Sequence, residues 1–171
     1  MASPVEPTAL LSRFQDAFAS GFTAAMKPTL VKLGKDEVVL EMLVGPEHLQ
    51  PHGLVHGGVF CSLVETAGSI GASLNAAEGL IVVGVENQTS FLRAVRKGKL
   101  KSTAKPIHVG RRSQLWETEI LDEKGRLVAT GRLPDAEHAA ELSPDEIGHG
   151  LVDGAGPSAD DLAARAARRD Q

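Results

Sequence analysis

The chain has 171 residues, of which 42% are hydrophobic and 23% charged, with a formal charge of −4. That length fills one core with appendages and is short for two ordinary domains, and the composition is that of a globular protein, not a largely disordered one. The charge is uneven: residues 1–134 hold 15 Lys plus Arg against 13 Asp plus Glu, while residues 135–171 hold 3 against 9. An acidic total argues against nucleic acid as the partner. The single cysteine, Cys61, excludes an intramolecular disulfide and fits a reducing, cytoplasmic setting, and MASPVEPTALL lacks the basic-then-apolar order of a secretory signal.

In chain order, Leu10, Leu11, Phe14, Phe18 and Phe22 recur at helical spacing, so a short amphipathic helix is expected over Thr8–Phe22, stopped at Gly21. Thr29–Gly34 and Asp36–Val44 alternate and are rich in Val, Leu and Thr, which reads as a hairpin turning at Gly34-Lys35. After the loop 45–55, residues 57–77 are almost wholly apolar or small, as in a buried helix, with Glu65 their one charge. Four strand-like segments follow, Leu80–Leu92, Lys99–His108, Ser113–Asp122 and Arg126–Leu133, joined by turn-like residues as in a meander.

Helix, two strands, a long buried helix and four strands predict an α+β fold in which one antiparallel sheet wraps the helix. The expected divisions are an N-terminal helical segment (1–28), the folded domain (29–133) and an acidic, largely flexible tail (134–171). In that tail Pro134 should end the last strand, and Ser158–Asp161 could cap a short terminal helix. Leu54–Ala77 is long enough to span a bilayer, but its glycines, hydroxyl residues and Glu65 match a core helix better.

A carboxylate in an apolar helix is costly unless it has a task, which singles out Glu65. His56-Gly57-Gly58 opens that helix, where free N–H groups and the macrodipole can polarise a carbonyl oxygen. The same tripeptide also serves as a plain loop-to-helix junction. Glu65 lies two turns further on and Ser69 one turn beyond it, so Gly57, Glu65 and Ser69 are expected along one side of a cleft. Between Arg93 and Arg112 there are eight Lys or Arg and no acid, a stretch that reads chiefly as a solvated sheet face. Trp116 reads as core. His48, His52, His108, His138 and His149 have no metal-ligand spacing, and no metal is assigned.

Taken together, Gln50-xx-Gly53-Leu54-Val55-His56-Gly57-Gly58, Cys61, Glu65, Val83-Gly84-Val85-x-Asn87-x-Thr89-Ser90-Phe91-x-Arg93, His108-x-Gly110-Arg111-Arg112, Trp116 and Asp122-xx-Gly125-Arg126 resemble the hotdog-fold acyl-CoA thioesterases. Within them the chain is most similar to the phenylacetate-pathway (PaaI-like) and glutamate-type 4-hydroxybenzoyl-CoA groups. The resemblance covers about Thr29–Leu133. It implies a hotdog fold, homodimers commonly paired into homotetramers, and active sites at the subunit interface.

It further implies Glu65 as catalytic nucleophile or general base, the Gly57 N–H as oxyanion donor, Gln50 as an assisting amide and Ser69 as a positioning hydroxyl. His56 and Gly58 would shape the thioester site, and Arg93, Arg111 and Arg112 would meet the phosphates of coenzyme A, a part of the substrate and not a cofactor; Asn87, at the centre of an otherwise apolar strand, reads from the residues themselves as hydrogen-bonding the loop around His56 or shaping the acyl pocket, chiefly a structural role. Guanidinium forks suit phosphate, although some glutamate-type relatives carry small hydroxyl residues where this chain has Arg111-Arg112. The chemistry agrees: a thioester has a good leaving group, so its hydrolysis needs an activated oxygen nucleophile and a site for the oxyanion. Two other readings stand beside it: a hotdog dehydratase, which would want a helix carboxylate paired with a histidine, and a non-catalytic acyl-CoA sensor, which would have no use for Glu65.

Overall fold

A computed structural model describes residues 14–16, 18–77 and 80–139. Its elements are α1 (Gly21–Met26), β1 (Thr29–Leu33), β2 (Val38–Leu43), a 3-10 turn (Pro46–His48), α2 (Gly57–Asn75), β3 (Leu80–Gly84), β4 (Gln88–Phe91), β5 (Lys99–Val109), β6 (Ser113–Asp122) and β7 (Leu127–Ala139). One antiparallel sheet runs β1-β2-β5-β6-β7-β3, with β4 also on β7, and α2 packs along its inner face. The α+β expectation of a sheet curled around one long helix therefore holds.

The period-two pattern decides which side faces inward. Leu100, Ser102 and Ala104 on β5 and Gln114, Trp116, Thr118 and Ile120 on β6 are buried against α2, whereas Lys99, Lys101 and Lys105 point out. Lys99 pairs with Glu41 at 2.8 Å and Lys105 with Glu37 at 3.3 Å, so two of the basic residues on β5 serve the outer sheet surface. On α2, Val59, Phe60, Leu63, Val64, Ala67 and Ile70 join the core. A Cβ on Gly71 would strike the Trp116 ring, so glycine there is what lets helix and sheet approach. The indole is 0% exposed, and its Nε1–H donates to Gln114 Oε1 at 3.1 Å.

Several expectations are corrected. Most of the predicted Thr8–Phe22 helix lies outside the described residues. Residues 14–16 are helical, and the chain turns before α1, so Gly21 (φ 62°) opens a helix and does not stop one. Residues 57–77 are not enclosed all round, because α2 ends at Asn75 and its Cys61, Ser62, Glu65, Thr66 and Ser69 side is only half-buried. The four last strands do not form a simple meander: β5, β6 and β7 do, but β3 and β4 cross to the far side of β7.

Leu80–Leu92 is also broken at 85–87. The break and the extension of β7 to Ala139 have one cause. Pro134 does not end β7, because its carbonyl accepts from the Val85 N–H at 3.0 Å and its missing N–H falls on that same side, where β3 gives way to β4. The proposed terminal helix at Ser158 lies outside the described residues.

Candidate active site

Glu65 emerges half-buried from the middle of α2. Its Oε2 accepts from Asn87 Nδ2 at 2.9 Å, and that amide also donates to the Cys61 carbonyl at 3.1 Å. Thr89 Oγ1 donates to Asn87 Oδ1 at 2.6 Å, so the amide is oriented by its own network. The interruption between β3 and β4 is what carries Asn87 over α2. A Cβ on Gly84 would run into Glu65 Oε1, so the carboxyl packs directly on the β3 backbone. Glu65, Asn87, Cys61, Ser62, Thr66 and Phe22 line a cavity of about 300 Å³.

The other half of the expected site is at the N-terminus of α2. His56 is the N-cap, and its Nδ1 accepts from the Gly58 N–H at 2.9 Å. The Gly58 amide is thereby used, so Gly58 shapes the turn. Among the described residues no acceptor meets the Gly57 N–H. Gln50 Oε1 accepts from the His52 N–H at 2.8 Å, which anchors the side chain by its oxygen and leaves Nε2 to donate elsewhere. Gln50, Gly57 and Arg93 share a second cavity of about 250 Å³ with Phe60, Phe91 and Val95.

In one chain, then, the expected cleft is divided. Eight residues of helix separate Gly57 from Glu65 by about 12 Å. Phe91, 55% exposed, lies against Gly57 and against the Phe60 ring, whose centroid is 5.9 Å away. Ser69 is half-buried on the same side of α2 but lines neither cavity. The arginines are divided as well. Arg93 Nε donates to the Leu127 carbonyl at the start of β7, while Arg111 and Arg112 are exposed in the β5–β6 turn at the opposite end of the strands.

Two features of this region escaped the reading of the sequence. In the sequence Phe91 stands out only as part of a motif. Asp135 was assigned to the tail, yet it is 1% exposed on β7, directly opposite Gly84. The signal for it is the inward alternation Ala129, Gly131, Leu133, Asp135, which the proline at 134 obscured.

What the two halves offer is an oriented carboxylate at one cavity and, at the other, a free amide N–H with a carboxamide. These are the parts needed to attack a carbonyl carbon and to hold the charge that then develops on its oxygen. The comparisons point the same way. Residues 52–129 match the thioesterase superfamily. A Mycobacterium tuberculosis protein described as an esterase is 41% identical over 115 residues, spanning 66% of this chain and 82% of that one. The proofreading thioesterase EntH of Cronobacter sakazakii is 43% identical over 105 residues, 61% of this chain and 77% of that one. The crystal structure of a Haemophilus influenzae thioesterase superposes with a TM-score of 0.73 at 32% identity, covering 78% of this chain and 93% of that one. With its curled sheet, its central helix and these relatives, the chain belongs to the thioesterase superfamily, has the hotdog fold and is a thioester hydrolase.

Proposed function

We propose that the protein is an acyl-CoA thioesterase of the PaaI-like kind, acting as a cytoplasmic homo-oligomer, in which Glu65 is the nucleophile or the general base on water. The observation that carries this reading is the Glu65 carboxyl, held by Asn87 at 2.9 Å on the wall of a cavity. The Gly57 N–H and Gln50 Nε2 would receive the thioester oxygen, and the negative charge of the tetrahedral state would gain from the positive end of α2.

A separation of about 12 Å along α2 is far beyond the roughly 3–3.5 Å of a reacting pair. The two halves therefore serve one thioester only if a second copy brings its Gly57 to this chain's Glu65. Two antiparallel α2 helices related by a twofold axis would do that, and they would cover the half-buried side of α2 together with exposed Phe22, Val85 and Phe91, which are 71%, 59% and 55% exposed.

The test is release of free thiol from a panel of acyl-CoA thioesters. Turnover of at least one class is expected; saturable binding without turnover would leave a sensor instead. The same panel tests the phosphate contacts. Replacing Arg111 and Arg112 together by alanine should raise KM for CoA thioesters about tenfold with little change in kcat, because contacts made from the β5–β6 turn are remote from the bond that is cut. Pantetheine thioesters, lacking the nucleotide phosphates, should be handled equally by the variant and wild type. An unchanged KM for CoA thioesters in that variant would place the phosphates elsewhere.

A further inference from the structure

Asp135 is a buried acid that the reaction as described does not use. It lies on one rung of the sheet, between Gly84 of β3 and Gln114 of β6. Residues directly opposite in antiparallel strands project to the same face, so the Asp135 side chain rises beside the space over Gly84. That space is filled by the Glu65 carboxyl, whose Oε1 packs on Gly84. Asp135 is 1% exposed, and neither of its carboxyl oxygens meets a donor among the described residues. A carboxyl group so placed is best satisfied by carrying a proton itself, because an unpaired buried charge is far more costly than a neutral acid.

We propose that protonated Asp135 is a positioning residue that donates a hydrogen bond to Glu65, so that Asn87 and Asp135 together hold the reactive carboxylate from two sides. The proposal rests on Glu65 being the catalytic group. Asp135 would not touch the substrate, and no bond to it forms or breaks. Its proton stays on Asp135, the donor of that hydrogen bond.

Among the described side chains, little else could set this proton. Gly84 and Gln114, its neighbours on β3 and β6, do not titrate. Beyond β3, Glu86 is exposed and accepts from Gln88 Nε2 at 2.7 Å; Glu117 and Arg132 face each other on the outer side of the sheet at 3.5 Å. On α2, Cys61 lies one turn before Glu65 on the cavity wall. Burial first, and then the charge of Glu65, push the Asp135 acid up to about 7. Above that pH the donor becomes a second carboxylate, and the hold on Glu65 turns into repulsion.

The experiment is the pH profile of kcat for wild type, Asp135→Asn and Asp135→Ala, with the oligomeric state of each checked. Wild type should lose activity on the alkaline side with an apparent pKa near 7. Asp135→Asn, whose amide donates without titrating, should keep wild-type activity a unit below about 7 and lose that alkaline limb. Asp135→Ala should be about tenfold slower below pH 7 while KM stays near wild type. An alkaline limb that survives in Asp135→Asn, or an alanine variant as fast as wild type below pH 7, would overturn the proposal. A readout independent of catalysis separates this from a failure of the Glu65 reading. In carboxyl-carbon NMR of the intact protein, Asp135 should titrate at a lower pH in Glu65→Gln than in wild type. An unmoved Asp135 titration would refute the contact between the two carboxyl groups whether or not Glu65 is catalytic.

Discussion

Replacing Glu65 by glutamine should slow thioester hydrolysis by at least about a hundredfold and up to about 10⁴-fold, the range for removing a positioned base, with a greater loss if the carboxylate attacks directly. The substitution is nearly isosteric, and a glutamine oxygen can still accept from Asn87 Nδ2, which Thr89 orients through Asn87 Oδ1. The carboxylate is half-buried, and the helix is held to the core by Leu63, Val64, Ala67 and Ile70 on its other side, contacts that do not involve Glu65, so the fold and the oligomer should persist. KM should stay within about twofold, because an interaction made chiefly in the transition state lowers kcat and kcat/KM together. Steady-state thiol release, with the oligomer checked by size-exclusion chromatography, reads both quantities.

Replacing Trp116 by alanine should remove about 3–5 kcal/mol of stability. The indole is the largest fully buried side chain in the protein and fills the space left by Gly71 between α2 and the sheet. A smaller residue cannot be met by helix movement alone, since Leu133 is packed against Gly68 one turn earlier and holds α2 at its present height. The substitution also removes the Nε1–H donor to Gln114 Oε1, a buried hydrogen bond. At a fixed protein concentration the melting temperature should fall by about 10 °C, using the usual conversion for a domain of this size. A fall of a degree or two would show that the core between α2 and β6 rearranges to fill the gap.

Much of this was legible because strong local patterns and tertiary demands agree. On β5 and β6, Leu100, Ala104, Trp116 and Ile120 alternate with exposed polar residues, and both strands occur as expected apart from one further residue at Val109. The apolar run after His56-Gly57 forms the central helix, and its lone acid stands at a cavity. What was not legible depends on residues distant in sequence. Pro134 reads locally as a strand end, and only the interruption between β3 and β4 beside it allows β7 to continue. Asp135 was lost with it. No linear spacing shows that Arg93 and Arg111 leave opposite ends of the sheet, or that Gly57 and Glu65, though on one helix, open into different cavities. The first is a matter of strand register and the second of helix rise.

The central claim is that the thioester carbonyl sits between the Glu65 carboxyl of one protomer and the Gly57 amide of another. A crystal structure of the Glu65→Gln variant with an uncleaved acyl-CoA bound tests it most directly. It should show the thioester oxygen within hydrogen-bond reach of the Gly57 N–H, and the carbonyl carbon beside the side chain at position 65 of the other protomer. A thioester lying away from α2, or an acyl-CoA cleaved at the wild-type rate by this variant, would contradict the account.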